Sequence, residues 1–172
     1  MKARLIPCLL VGLLPMVLAG CAGYRLGPTN GVAAGSQSVQ IAPFQNTTSE
    51  PRLSDAVATA LRKQLQQDGT YRLDTQGGGD LLVMGLITRY DRTAVSFQPT
   101  DIITARDFKV VLAADVTVIE RSTGRTNLHR EVSGRTTIRV GNDQTSAERQ
   151  ALPLLAEDLA RNITSLMVDG TW

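Results

Sequence analysis

Between Phe108 and Val140 apolar and polar residues alternate so regularly that a strand hairpin with one buried face is the simplest fold for them. The even positions Phe108, Val110, Leu112, Ala114, Val116 and Val118 form an unbroken apolar stripe, the period-two pattern of a half-buried strand. After Ser122-Thr123-Gly124 the even positions Leu128, Val132, Gly134, Thr136, Ile138 and Val140 continue a mainly apolar face, interrupted by Arg130. A three-residue loop with Gly last suits a type I turn plus bulge, and in that register Asp107 faces Arg139. The odd positions of the second strand, Asn127, His129, Glu131, Ser133, Arg135, Thr137 and Arg139, make a polar face. A layer must therefore cover the stripe, and the other face is left over for function.

The remaining segments supply that layer. Leu81 to Ile87 is apolar on both faces, as a central buried strand is, and it continues through Thr88-Arg89-Tyr90-Asp91-Arg92 to Val95 and Phe97 until Pro99 breaks it. Val39 to Phe44 reads as a short strand with Val39, Ile41 and Pro43 on one side, and Tyr71 to Leu73 as another. Asn46 to Ser49 supply a turn and cap, and Pro51 suits a first helical position. Leu53, Val57, Ala60, Leu61 and Leu65 then recur at helical spacing until Asp68-Gly69 stops the run. From Ser146 to Val168 the period is helical again, with Leu152, Leu155, Leu159, Ile163 and Leu166 on one side; Pro153 inside this span predicts a late start or a kink. Gly77-Gly78-Gly79 lacks the Lys and Ser/Thr of a phosphate loop and precedes a strand, so it reads as a turn. The order predicts an α+β fold: a mixed four- to five-stranded sheet with two helices packed on one face.

The first twenty residues stand apart. Lys2 and Arg4 precede an apolar run from Leu5 to Leu18, then Ala19 and Gly20, which is a secretory signal layout. The run is about fourteen residues and contains Pro7 and Pro15, too short for the roughly 20 apolar residues of a spanning helix. Leu18-Ala19-Gly20-Cys21 resembles the bacterial lipobox, in which the Cys is acylated and becomes the first mature residue; Ala22, where an Asp would favour inner-membrane retention, implies the periplasmic leaflet of an outer membrane. The expected division is a cleaved signal over 1–20, a lipidated Cys21 with a Gly-, Ser-, Thr- and Asn-containing tether over 21–37, and one α+β domain over 38–172. The full chain holds 18 Lys plus Arg against 16 Asp plus Glu, so removal of Lys2 and Arg4 with the signal leaves the two counts equal. A neutral domain is no general binder of nucleic acid; its charge fits an ordinary near-neutral domain as well as one enclosed by a partner. Cys8 leaves with the signal and Cys21 carries lipid, so no thiol is left for a disulfide, a metal or catalysis.

Chemistry of the enzymatic kind finds few parts. His129 is the single imidazole, so no His-based metal cluster or Ser-His-Asp triad can be assembled, and Asp80, Asp91, Asp101 and Asp107 are scattered without close pairing. The sequence predicts no enzyme, no cofactor and no metal. Arginine is more informative: beyond Cys21 there are 14 Arg against two Lys, and guanidinium forks bind phosphate and carboxylate bidentately. Arg135 and Arg139 lie on one strand face roughly 13 Å apart at about 3.3 Å per residue, and Arg106 opens the preceding strand. These three are the candidate anion contacts, set against an ordinary Asp107–Arg139 cross-strand ion pair.

Taken together, several segments resemble the LptE family of lipopolysaccharide-assembly lipoproteins. They are Cys21-Ala22-Gly23-Tyr24-Arg25-Leu26-Gly27, Val39-Gln40-Ile41-Ala42-Pro43-Phe44-Gln45-Asn46-Thr47-Thr48, Leu65-Gln66-Gln67-Asp68-Gly69-Thr70-Tyr71-Arg72-Leu73, Asp80-Leu81-Leu82-Val83-Met84-Gly85, and the terminal helix from Ala156-Glu157-Asp158-Leu159-Ala160 to Trp172. The resemblance implies a plug-like domain seated in the outer-membrane β-barrel LptD, helping that barrel assemble and lipopolysaccharide reach the cell surface. It also implies binding of lipopolysaccharide, for which Arg135 and Arg139, then Arg106, are the expected contacts. The competing expectation is an outer-membrane lipoprotein that regulates a periplasmic peptidoglycan synthase.

Overall fold

The computed structural model describes residues 33–98, 101–140 and 144–169; the signal segment, Cys21 and most of the tether lie outside the described residues. The elements run β1 (Gln37–Ile41), β2 (Gln45–Asn46), α1 (Leu53–Asp68), β3 (Tyr71–Leu73), β4 (Leu81–Gln98), β5 (Asp101–Glu120), β6 (Thr126–Arg139) and α2 (Gln144–Asp169). They form one mixed sheet in the order β3-β1-β4-β5-β6, with β2 beside β4 past the end of β1. β1 runs parallel to both neighbours, while β4, β5 and β6 form an antiparallel meander. The fold is therefore the expected α+β arrangement.

The hairpin register is the one the spacing predicts. Asp107 pairs Arg139, Val110 pairs Thr136 and Val118 pairs Leu128, with a bulge where Ile119 pairs Thr126; Gly124 takes φ 69° in the turn, a value that favours glycine. Val110, Leu112, Ala114, Val116 and Val118 are fully buried and meet Leu155, Leu159 and Ile163 of α2 and Leu53, Val57 and Leu61 of α1 in one core. A second bulge, at Thr88 between the pairs Ile87–Ala114 and Arg89–Ala113, shifts the phase of β4. Its helix-side stripe Leu81, Val83, Gly85, Ile87 passes to Tyr90, Arg92 and Ala94, which is why the strand's second half reads as more polar.

Two glycines set how closely the layers approach. A Cβ at Gly134 would stand 2.5 Å from Leu159 N and 2.7 Å from Leu155 O, so α2 lies directly on the β6 backbone. A Cβ at Gly85 would overlap the ring of Phe44, itself buried. α2 also closes the outer edge of β6: the Asp158 carboxylate accepts the Arg135 backbone N–H at 3.0 Å, and the Asn162 amide donates to Ser133 O at 2.8 Å. The Tyr71 hydroxyl donates to Met167 O at 2.8 Å, joining the far end of α2 to β3.

Three local expectations change. β1 ends at Ile41 and Pro43 is exposed: after the Ala42 N–H bonds Val83 O at 2.9 Å the chain leaves the sheet and seats the Phe44 ring on Gly85. α1 begins at Leu53, with Arg52 as N-cap and Pro51 in the turn before it; Asn46 caps no helix, since its side chain binds Thr48 and Glu50 O. A late start for α2 is overturned: it is already helical at Gln144 and runs through Pro153, which lies on the exposed side. The stop at Gly69 is as expected, with φ 75° and its N–H on Leu65 O.

Asp80 ties β1 to β4. Its carboxylate accepts the Ser38 N–H and hydroxyl, each at 2.7 Å, and its own N–H donates to Ser38 Oγ at 3.0 Å. The Ser38 N–H, then the Ser38 hydroxyl and the Arg72 charge, hold this carboxyl below its ordinary value of 3.8. A carboxylate with a depressed folded-state pKa stabilises the fold in full above that ordinary value and loses the effect as pH falls from there through the lower folded-state value. The Tm gap between the native chain and Asp80→Asn is therefore expected to be widest near neutral pH and to close below about pH 4, as thermal melts across pH would reveal; a gap independent of pH would contradict the carboxylate's role.

Candidate ligand-binding face

Both helices lie on one side of the sheet, so the polar side of the meander is open. Along it run Lys109, Val111, Ala113, Asp115, Thr117 and Ile119 of β5, Thr137, Arg135, Ser133, Glu131 and His129 of β6, and Met84, Leu86, Arg89 and Asp91 of β4. The face has three zones. At the β1 end Met84 and Leu86 floor a groove of about 390 Å³ walled by Ala42, Pro43, Gln45, Thr117 and His129. The middle is acidic: Asp115 and Glu131 are direct cross-strand partners, and Arg89 bridges Glu131 at 3.6 Å and Asp91 at 3.5 Å.

The distal zone is basic. Arg135 opposes Val111, Lys109 opposes Thr137, and Arg139 opposes Asp107, so Lys109 sits diagonally between the two arginines. Arg135 and Lys109 are exposed, and their side chains make no ion pair within 4 Å among the described residues. Arg139 is 65% exposed and donates from Nε to Asp107 Oδ1 at 2.8 Å; the Ser96 hydroxyl donates to the other oxygen, Oδ2. The Arg139 bond, and then that from Ser96, lower the Asp107 pKa, and the same pair raises that of Arg139. The ion pair occupies one edge of the Arg139 fork and leaves donors for an anion. An exposed pair of this kind is screened by solvent and adds little to stability.

Arg106 stands beside Asp107 at the end of this zone. Its carbonyl accepts the Val140 N–H at 2.8 Å, the pairing of β4 with β5 skips it between Ser96–Asp107 and Phe97–Ala105, and its charge adds to the lowering of the Asp107 pKa. Lys109, which sequence reasoning passed over, is recoverable from the register: once Asp107 opposes Arg139, Lys109 must oppose Thr137. His129 is accounted for locally, with Nδ1 3.0 Å from Thr117 Oγ1. Gly77–Gly79 form no phosphate cradle; the Asp74 carboxylate accepts the Gln76 and Gly78 N–H groups in a turn. Among the described residues there is no group of three or more His, Cys, Asp or Glu side chains placed to hold a metal, and no helix is long and apolar enough to cross a membrane. Cys21 lies outside the described residues.

Comparison with known proteins places this geometry. A family model described as lipopolysaccharide-assembly, LptE, matches residues 36–167. No curated protein matches the chain. Among solved structures, a Xanthomonas campestris protein of the DUF330 family is similar at TM-score 0.61 and 9% identity, covering 86% of this chain and 92% of its own. A hypothetical protein of Chlamydia trachomatis is similar at TM-score 0.57 and 11% identity, covering 78% and 96%. At these identities the likeness speaks for the fold alone.

Proposed function

The chain belongs to the LptE lipopolysaccharide-assembly family, and from that premise we propose that it is a non-enzymatic lipoprotein that seats in the outer-membrane β-barrel LptD, helps that barrel assemble and assists lipopolysaccharide to the cell surface. In this reading Cys21 carries the acyl anchor and the domain stands on the periplasmic face of the outer membrane. Two or more acyl chains hold such an anchor stably, since each buried methylene contributes about 0.8 kcal/mol.

Lipopolysaccharide is bound at the distal zone of the open face. The observation that supports this is the convergence of Lys109, Arg135 and Arg139 on a side of the sheet that the chain's own helices leave uncovered. A phosphorylated lipid headgroup presents several anionic oxygens, which guanidinium forks accept bidentately and an ammonium accepts as a point charge. Arg135→Ala plus Arg139→Ala is expected to weaken binding of purified lipopolysaccharide at least about tenfold, by the loss of charge-assisted hydrogen bonds. Arg106→Ala is expected to weaken it less than the double change does. Equal affinity in the double variant would overturn the assignment. For the partnership, detergent-solubilised outer membrane is expected to yield this chain with a stoichiometric large β-barrel; a peptidoglycan synthase in its place would instead support the regulator.

A further inference from the structure

The sheet treats its edges unequally. On β6 the outer backbone is engaged by Asp158 and Asn162 of α2, and β3 offers an edge of only three residues. β4 is flanked by β1 and β2 as far as Ile87, whose carbonyl accepts the Thr47 N–H at 3.1 Å and hydroxyl at 2.8 Å before the chain turns away toward α1. From there β4 continues to Gln98 with no strand on that side among the described residues.

The backbone direction along this edge follows from the register. Val140 N–H on Arg106 O makes the even residues of β5 the ones that bond to β6, so Lys109, Val111 and Ala113 bond to β4 through their partners Thr93, Asp91 and Arg89. The residues between, Tyr90, Arg92 and Ala94, therefore turn their N–H and C=O groups outward into the open edge. Proteins usually blunt a long free edge, as this one does at β6. Here instead Val95 and Phe97, 52% and 50% exposed, stand just beyond it.

Beside Tyr90 is an open notch of about 290 Å³ whose lining includes Glu50, Arg52, Glu148 and Arg149. Glu148 is paired with Arg92. Arg52 and Arg149 are exposed, and neither has a carboxylate within ion-pair distance among the described residues. A row of alternating donors and acceptors repeating about every 6.6 Å is answered by an extended polypeptide, and a side-chain pocket beside such a row selects which one; a lipid offers no row of groups at that repeat.

We propose that an extended segment of the barrel partner adds to the sheet along Tyr90–Ala94, in line with β2, and lodges an acidic side chain against Arg52 and Arg149. This rests on the barrel partnership proposed above. The test coexpresses the full chain with the barrel and measures the barrel recovered with it from solubilised outer membrane. Ala94→Pro removes an outward N–H that β4–β5 pairing does not use, a change edge strands accept, and Arg52→Glu plus Arg149→Glu reverses the notch charge at exposed positions. Each is expected to lower recovery about tenfold with the melting of the purified chain unchanged. If Ala94→Pro alone unfolds the chain, the charge-reversal variant decides. Recovery at the native level in the charge-reversal variant, with the native chain still bringing the barrel, overturns strand addition and leaves the partnership standing; no barrel with the native chain overturns both.

Discussion

Gly134→Ala is expected to lower the melting temperature by about 5–10 °C, an overpacking cost of roughly 2–3 kcal/mol in a domain of this size. The added methyl meets Leu159 N at 2.5 Å and Leu155 O at 2.7 Å, and both are backbone atoms of a helix interior that no rotamer change can withdraw. Relief requires α2 to rise from the sheet. That movement would thin the contact of Leu155, Leu159 and Ile163 with the β5 stripe and pull Asp158 and Asn162 off the β6 edge. The variant should therefore lose stability and gain a tendency to self-associate through β6. Thermal melts and sizing together check this; a variant that melts like the native chain would mean that α2 does not rest on this residue.

Phe44→Ala is expected to cost about 3–5 kcal/mol, as removal of a buried aromatic ring usually does. Gly85→Ala should cost less, about 1–3 kcal/mol, because its methyl competes for the space of that ring. The two changes are not independent. With the ring gone, the methyl enters vacated space, so the double variant should be no less stable than Phe44→Ala alone. Chemical denaturation of the four species gives the coupling directly; additive losses would contradict ring-on-glycine packing. The contrast with Gly134 is physical: one glycine faces a side chain that can be deleted, the other faces a backbone that cannot.

What could be read from the residues followed the range of the interactions. The β5–β6 register was legible because a period-two stripe and a short Gly-ended turn are local, and together they fix Asp107 on Arg139. The bulge at Thr88 was not, since the polar residues after Ile87 hide the phase change that only pairing with Ala113 reveals. β2 and the parallel pairing of β1 with β3 and β4 depend on partners roughly 30–45 residues away, which no window of sequence contains. At the basic zone, the register alone adds Lys109. The open edge of β4 was invisible for another reason: an edge is defined by which strand is missing beside it, and that is a property of the whole sheet.

Depleting this chain in cells and locating newly made lipopolysaccharide tests most directly whether it serves delivery of lipopolysaccharide to the cell surface. Failure of new lipopolysaccharide to reach the outer leaflet, restored by the native chain, is the predicted result; normal surface delivery in its absence would contradict the account.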